Sequence, residues 1–357
     1  MQVLMISIDK GLLGRGQLGD VVERHKKYGQ RVERLDIIVF CKKGFSPYKI
    51  SDKVIAYPTN SFSRLKYYGD AKKIGKKLFA ENKYDLIVTQ EPFLTGLAGV
   101  KLKKKFGAKL LVHFHGDFVG WRLRFAKTFV LPQADAVRVM SVGQKEKLIA
   151  AGVKPDKIAV ISTPVNLAKY NRPDLARGGE TKMVLHVGRD DKIKDYATLL
   201  KTFALINQKL PHVKFVKVLS GKEFAKALDD FGGKNFNVIT HPQIKHDALV
   251  DFYYQSDVVV LSSVSESFGK VLVEANACGK PVVSTATTGA KEIIQDGYNG
   301  FLVPVGDAAA LADKIIFLLN NPEQAKEMGE NGRRLVKENF SDNLEQIINF
   351  WHKIVKS

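Results

Sequence analysis

Residues 258–283 read VVVLSSVSESFGKVLVEANACGKPVV, and the fold is decided inside them. Val258–Leu261 is a run of branched and apolar side chains of the length of one buried strand. A serine-rich turn follows, a helix opens near Phe268, and Pro281–Ser284 begins a second short apolar run. Strand, helix and strand in so short a span make a parallel unit, and such sheets carry helices on both faces.

Working outward, the same alternation fills the chain. Before this stretch the strand candidates are Met183–Val187, Val213–Leu219 and Asn237–Thr240, and after it Phe301–Val303. A helix is expected from Tyr196 to Lys209. In the first half the candidates are Val3–Ile8, Asp36–Phe40, Val54–Tyr57, Leu86–Thr89, Leu110–Phe114, Ala136–Ser141 and Ile158–Ser162. Helices are expected over Val21–Tyr28 and Ala71–Glu81. In the latter, Ala71, Ile74, Gly75, Leu78 and Phe79 share one stripe and Lys72, Lys73, Lys76 and Lys77 another. The fold class is therefore α/β, with two Rossmann-like domains facing across a cleft. Residues 1–165 form the first, 166–182 a linker rich in turn residues, and 183–342 the second. Leu344, Ile347, Ile348, Trp351, Ile354 and Val355 fall at helical spacing, so 343–357 is a final amphipathic helix expected to pack back on the first domain. Ligands of open α/β sheets bind beyond the carboxyl ends of the strands.

At 357 residues and 45% hydrophobic, the chain can bury two cores of ordinary size. No apolar run approaches the ~18 residues of a membrane span. The start reads as a first strand rather than a leader peptide, and Cys41 and Cys278 as core thiols, which makes the expected location cytoplasmic. The net charge of +19 is unevenly placed. Residues 1–170 carry 32 Lys and Arg against 14 Asp and Glu, whereas residues 171–357 carry 24 against 23.

The chemistry concentrates in Glu266-Ser267-Phe268-Gly269-Lys270-Val271 and Glu274. Unpaired N–H groups and the positive dipole end of a helix opening here suit a diphosphate. Gly269 permits close approach to the backbone. Glu266, before the helix, is placed to reach sugar hydroxyls. Glu274, within it and slanting back toward its start, is placed to reach a ribose.

The segment Glu266–Gly269, then Glu274-Ala275, then Ala277-Cys278-Gly279-Lys280-Pro281-Val282, resembles the signature of glycosyltransferase family 4. Gly188-Arg189 followed by Lys194 is similar to that family's Gly-Arg…Lys pair. Thr288-Gly289-Ala290-Lys291-Glu292 stands where its Gly-Gly…Glu turn belongs, and Gly297-Tyr298-Asn299-Gly300 where its closing motif does. The resemblance implies the GT-B fold, a retaining reaction, a nucleotide-diphosphate-sugar donor, and no metal or other cofactor. It implies Arg189, Lys194, Glu266 and His115 as catalytic residues. Gly16, Gly188, Ser267, Phe268, Gly269, Lys270, Val271 and Glu274 would hold the donor.

Departure of a nucleoside diphosphate builds negative charge, which Arg189 and Lys194 can neutralise as fixed cations. Asp190-Asp191, the nearest rival for a metal, reads as a solvated loop pair. Gly14-Arg15-Gly16-Gln17-Leu18-Gly19 resembles the family's glycine-rich loop, with Gln17 in place of a glycine. His115, at the end of Leu110–Phe114, aligns with the family's histidine beside the transferred sugar. Thr163-Pro164-Val165-Asn166 lacks the aspartate of the corresponding family turn, and no role is carried over to it.

Three stretches mix cations with aromatics: Phe62 to Tyr68, the lysine face at 72–77, and Trp121 to Phe125. Such patches suit an anionic bilayer, which points to peripheral attachment at the inner face of the cell membrane and a lipid-linked or cell-envelope glycan acceptor. Nucleic acid is not expected as a partner. Two alternatives stand beside this reading: a nucleotide-sugar 2-epimerase of the same fold, and a non-catalytic membrane- or nucleic-acid-binding protein.

Overall fold

The computed structural model describes the chain except residues 15–19, 117, 171, 173–180, 233–237, 243, 245–247 and 342. It divides into two compact units, Met1–Ser162 with Asp342–Ser357, and Thr163–Ser341.

The first unit holds β1 (Gln2–Ser7), β2 (Arg34–Val39), β3 (Tyr48–Ser51), β4 (Val54–Pro58), β5 (Leu86–Thr89), β6 (Lys109–Phe114), β7 (Ala136–Val139) and β8 (Ile158–Val160). They form one sheet in the order β3-β4-β2-β1-β5-β6-β7-β8. All pairings are parallel except the β3–β4 hairpin. Sequence reading passes over β3. It is a four-residue edge strand with no fully buried side chain, so no apolar run marks it.

Alternate residues of β1 enter different cores. Leu4 and Ile6 face a cluster with Leu78, Ala98 and Ala126, while Val3 and Met5 face one with Tyr28, Ile347 and Trp351. The helix Asn343–Lys356 therefore completes the first unit. Its Ile347, Ile348, Trp351 and Ile354 are buried, and the Trp351 ring lies 5.3 Å from that of Tyr28. The helix expected from Ala71 starts a turn earlier, at Tyr67, and buries Ala71, Gly75 and Leu78. Lys73, Lys76 and Lys77 are exposed on its other side.

The second unit holds β9 (Met183–Val187), β10 (Lys214–Val218), β11 (Val238–His241), β12 (Val258–Leu261), β13 (Val282–Thr285) and β14 (Gly300–Val303), in the order β11-β10-β9-β12-β13-β14. Its central strands are buried along their whole length and mostly apolar, as strands covered on both faces are. Helix starts are capped by the expected residue types. The Asp195 carboxylate accepts the Thr198 N–H, and that of Asp307 accepts the Ala310 N–H. Chain direction across the sheet reverses at β9, which has β10 on one side and β12 on the other. Such a switch point leaves a crevice at the carboxyl ends of the two strands. No helix among the described residues is long and apolar enough to cross a membrane.

Candidate active site

The crevice beyond β9 and β12 is where the chemistry-bearing residues of the second unit meet. The chain leaves β9 through Gly188, Arg189, Asp190 and Asp191 into a single 3-10 turn, Lys192–Lys194. It leaves β12 through two buried serines. The two exits are stitched together: Val264 N–H donates to the Ile193 carbonyl at 2.8 Å, and Ser262 Oγ to the Lys194 carbonyl at 2.7 Å. Those bonds bring the Lys194 ammonium, 9% exposed, into an ion pair with Glu266. Ser263 Oγ donates to the same Glu266 Oε1 at 3.0 Å. One carboxylate oxygen is thus held from two sides, and the rest of the group is left for a ligand. An ammonium has three N–H donors, so Lys194 can keep Glu266 and still reach an anion.

Gly289 fixes the other side of Glu266. Its N–H donates to the Glu266 carbonyl at 2.7 Å, and a Cβ at this position would come within 2.4 Å of the Phe268 nitrogen. Only a residue without a side chain fits there. Phe268 is buried against Phe340, with ring centroids 5.6 Å apart, and Ser267 is half-buried. Gly269 has φ +83°, a left-handed conformation that suits glycine, and it heads the helix Lys270–Ala277. The helix thus starts two residues later than the sequence suggests, because the backbone turn at Gly269 must come first. Val271 and Lys270 are half-buried in its first turn.

Glu274 is 3% exposed. Tyr253 Oη donates to its Oε2 at 2.9 Å, and Lys270 Nζ lies 3.6 Å from its Oε1. Burial and the facing carboxylate push the Tyr253 phenol well above its ordinary pKa, so it remains a donor. Tyr253 and Ser263 orient the two glutamates, and sequence reading missed both. Neither sits in a motif, and their partners emerge only once the helices are packed.

Arg189 is exposed, and its guanidinium makes no hydrogen bond or ion pair with the described residues. Gly188 is buried, and a Cβ there would lie 3.0 Å from Lys194 Cε. Asp190 is half-buried and Asp191 exposed, and each also accepts backbone hydrogen bonds. Asp190 accepts the N–H groups of Glu223 and Phe224, and Asp191 that of Ile193. Both cap helical turns. Among the described residues no group of three or more His, Cys, Asp or Glu side chains could hold a metal ion.

The remaining expected residues belong to the first unit. Gly16 lies outside the described residues. His115 is half-buried just beyond β6, its ring 5.2 Å from that of the buried His113. Desolvation, then the Arg138 and Arg24 charges, push the His115 imidazole down to about 3. It is therefore neutral at pH 7. At the matching switch point of this sheet, Gln90 beyond β5 accepts hydrogen bonds from Ser7 Oγ (2.5 Å) and Ile8 N–H (2.9 Å) beyond β1.

With this geometry in view, comparison with known proteins is informative. Residues 29–169 match the family model of Glycosyltransferase Family 4, and residues 169–335 that of Glycosyl transferases group 1. The chain is 29% identical over 285 residues to an uncharacterised glycosyltransferase of Methanocaldococcus jannaschii, a match covering 77% of each protein. It is 30% identical over 239 residues to the N-acetyl-alpha-D-glucosaminyl L-malate synthase of Bacillus anthracis, covering 63% of this chain and 60% of that relative. Among solved structures it is similar to sucrose-phosphate synthase from Thermosynechococcus elongatus, at TM-score 0.83 and 24% identity over 99% of each chain. It is also similar to HepE of Anabaena in complex with UDP and glucose, at TM-score 0.80 and 20% identity over 99% of this chain and 100% of that one. These likenesses are of fold. Two family models in tandem from residue 29 to residue 335, on two parallel sheets of this topology, place the chain in glycosyltransferase family 4, as a glycosyltransferase of the GT-B fold.

Proposed function

We propose that this chain transfers a sugar from a UDP-sugar to an acceptor hydroxyl, retaining the anomeric configuration and needing no metal ion. The observation that carries this reading is the Lys194–Glu266 pair across the β9/β12 switch point, with the helix Lys270–Ala277 opening beside it. Arg189 and Lys194 take the diphosphate oxygens, together with N–H groups at the start of that helix. Glu266 accepts from hydroxyls of the sugar and Glu274 from the ribose. Ser267, Phe268, Gly269, Lys270 and Val271 line the donor, and Gly188 lets it approach the backbone. His115 is assigned to the sugar and Gly16 to the phosphates, as the family resemblance implies. The acceptor oxygen forms its bond to the anomeric carbon as the carbon–phosphate-oxygen bond breaks. The acceptor's proton passes to the departing phosphate oxygen, so no protein nucleophile is required. Uridine is favoured because structures of the similar HepE and of TarM from Staphylococcus aureus contain UDP.

For the acceptor, we favour a lipid-linked or cell-envelope glycan presented at an anionic membrane. Phe62 is 83% exposed and Leu65 92% on the segment after β4, and Val119 is 68% and Trp121 73% exposed after β6. Cations lie among them: Lys43 Nζ is 5.8 Å from the Phe62 ring and the Arg122 guanidinium 5.6 Å from the Trp121 ring. Exposed apolar tips set among cations suit a bilayer interface.

The test is turnover of a panel of nucleotide-sugars in EDTA, followed by NMR of the product. Release of UDP and transfer with retained configuration support the reading. Complete inhibition by EDTA with recovery in Mg²⁺ would overturn the metal-free mechanism. Epimerised donor would favour the 2-epimerase, and no turnover at all the non-catalytic alternative.

A further inference from the structure

Lys217 lies in the middle of the second unit with none of its surface exposed. Lysine is rarely buried without a carboxylate, because an ammonium taken out of water costs several kcal/mol unless it is compensated. No carboxylate lies within ion-pair distance of Lys217 among the described residues. Its Nζ donates to three backbone carbonyls instead: Gly188 at 2.8 Å, Val218 at 2.8 Å and Leu219 at 3.2 Å. The rings of Tyr196 and Phe224 flank it, with centroids 5.6 and 5.8 Å from Nζ. In the β9–β10 register it stands beside His186, a buried imidazole whose two nitrogens have no partner. An apolar side chain would fill this position at lower cost, so the ammonium is retained for what it holds.

What it holds is the rim of the donor crevice. The Gly188 carbonyl belongs to the Gly188–Arg189 peptide, and no peptide bond among the described residues is cis. In a trans peptide the carbonyl and the following N–H point opposite ways. With the carbonyl drawn inward onto Lys217, the Arg189 N–H is aimed outward, and it donates to no acceptor among the described residues. On its other side Gly188 rests against the Lys194 side chain.

We propose that Lys217 is a positioning residue for the transfer reaction: by anchoring the Gly188 carbonyl it aims the Arg189 N–H and guanidinium at the donor's diphosphate. This rests on the donor-site reading above. The same ammonium donates to the carbonyl of Leu219, whose backbone stands at φ +61°. Burial, opposed by the Asp190 carboxylate and aided by the Lys194 charge, lowers the Lys217 ammonium to about 7.

The experiment is a double-mutant cycle on the full chain, with UDP affinity read by calorimetry in EDTA and fold integrity by melting. Arg189→Ala is expected to weaken UDP by about 10²-fold, and Lys217→Met by about tenfold through loss of the anchoring hydrogen bonds. The double variant is expected to lose clearly less than the product of the two single losses, because the share of the Lys217 effect that runs through the Arg189 guanidinium is already gone while the backbone N–H at 189 remains. Lys217→Gln, which keeps N–H donors, is expected to recover part of the loss, and it replaces Lys217→Met in the cycle if the latter does not fold. Unchanged UDP affinity in Lys217→Met, or fully additive losses, would overturn the positioning role while leaving the donor site intact. No effect of Arg189→Ala would overturn the donor-site assignment itself, and the proposal with it.

Discussion

Glu266 is held at three points, by Lys194, by Ser263 and through its backbone by Gly289. Two consequences follow at this scale. Lys194→Ala removes a fixed cation from the leaving-group side and leaves the Glu266 carboxylate with Ser263 alone. A fall in kcat/KM of about 10²-fold is expected, as for other electrostatic stabilisers, and assay against the natural chain with the nucleotide-sugar that the panel identifies checks it. Gly289→Ala places a methyl 2.4 Å from the Phe268 nitrogen, a backbone atom that cannot step aside. Forced overpacking costs about 1–3 kcal/mol, so a lower melting temperature and loss of turnover are expected together. Turnover unchanged in Gly289→Ala would show that the Phe268 segment does not line the donor. Glu266, Lys194 and Gly289 were legible in the sequence because each lies in a motif. Lys217, Ser263 and Tyr253 were not. A lysine in an apolar strand looks like a surface residue until the register sets it under the Gly188 carbonyl.

Among the elements, the helices Lys270–Ala277 and Asn343–Lys356 matter most. The first carries Glu274 inside the fold with Tyr253 as its hydrogen-bond donor. Glu274→Ala is expected to weaken UDP by 1.5–3 kcal/mol, about 10- to 100-fold, the worth of a hydrogen bond to a charged group. Calorimetry with UDP and with uracil base alone separates a ribose contact from a general loss. The second helix seals the first unit. Trp351 is fully buried against Tyr28, so Trp351→Ala is expected to cost about 3–5 kcal/mol in chemical denaturation. A loss under 1 kcal/mol would contradict that packing. Strands buried on both faces were legible because they read as predominantly apolar runs. The β3 edge was not, since it buries too little to leave a pattern. The start of Lys270–Ala277 was displaced by two residues because Gly269 must turn left-handed before the helix begins.

Across the whole molecule, charge and protonation dominate. Among the described residues, four imidazoles are pushed down by burial, His25 and His115 to about 3 and His113 and His186 well below their ordinary value. Above about pH 6.5 the unfolded chain keeps them neutral too, and nothing is lost. As pH falls from 6.5 toward 3 the unfolded chain takes up protons that the fold refuses. Stability therefore drops by up to about 1.4 kcal/mol per histidine per pH unit. A melting temperature that falls steeply between pH 6.5 and 5 is expected, and a flat one would contradict the burial. The excess positive charge of residues 1–170 predicts sedimentation of the full chain with anionic but not neutral vesicles, reduced by Phe62→Glu with Trp121→Glu. Persistent indifference to anionic vesicles would leave the charge as a solubility feature. The asymmetry of charge was plain in the sequence, whereas which apolar side chains stand clear of the surface appeared only in the fold. The central claim is that the β9/β12 crevice holds a nucleoside diphosphate by fixed cations alone, and titration calorimetry of UDP into the chain in EDTA tests it most directly. The account predicts saturable one-to-one binding that Mg²⁺ does not strengthen and that Lys194→Ala with Arg189→Ala abolishes; no binding without Mg²⁺, or binding that survives both substitutions, would contradict it.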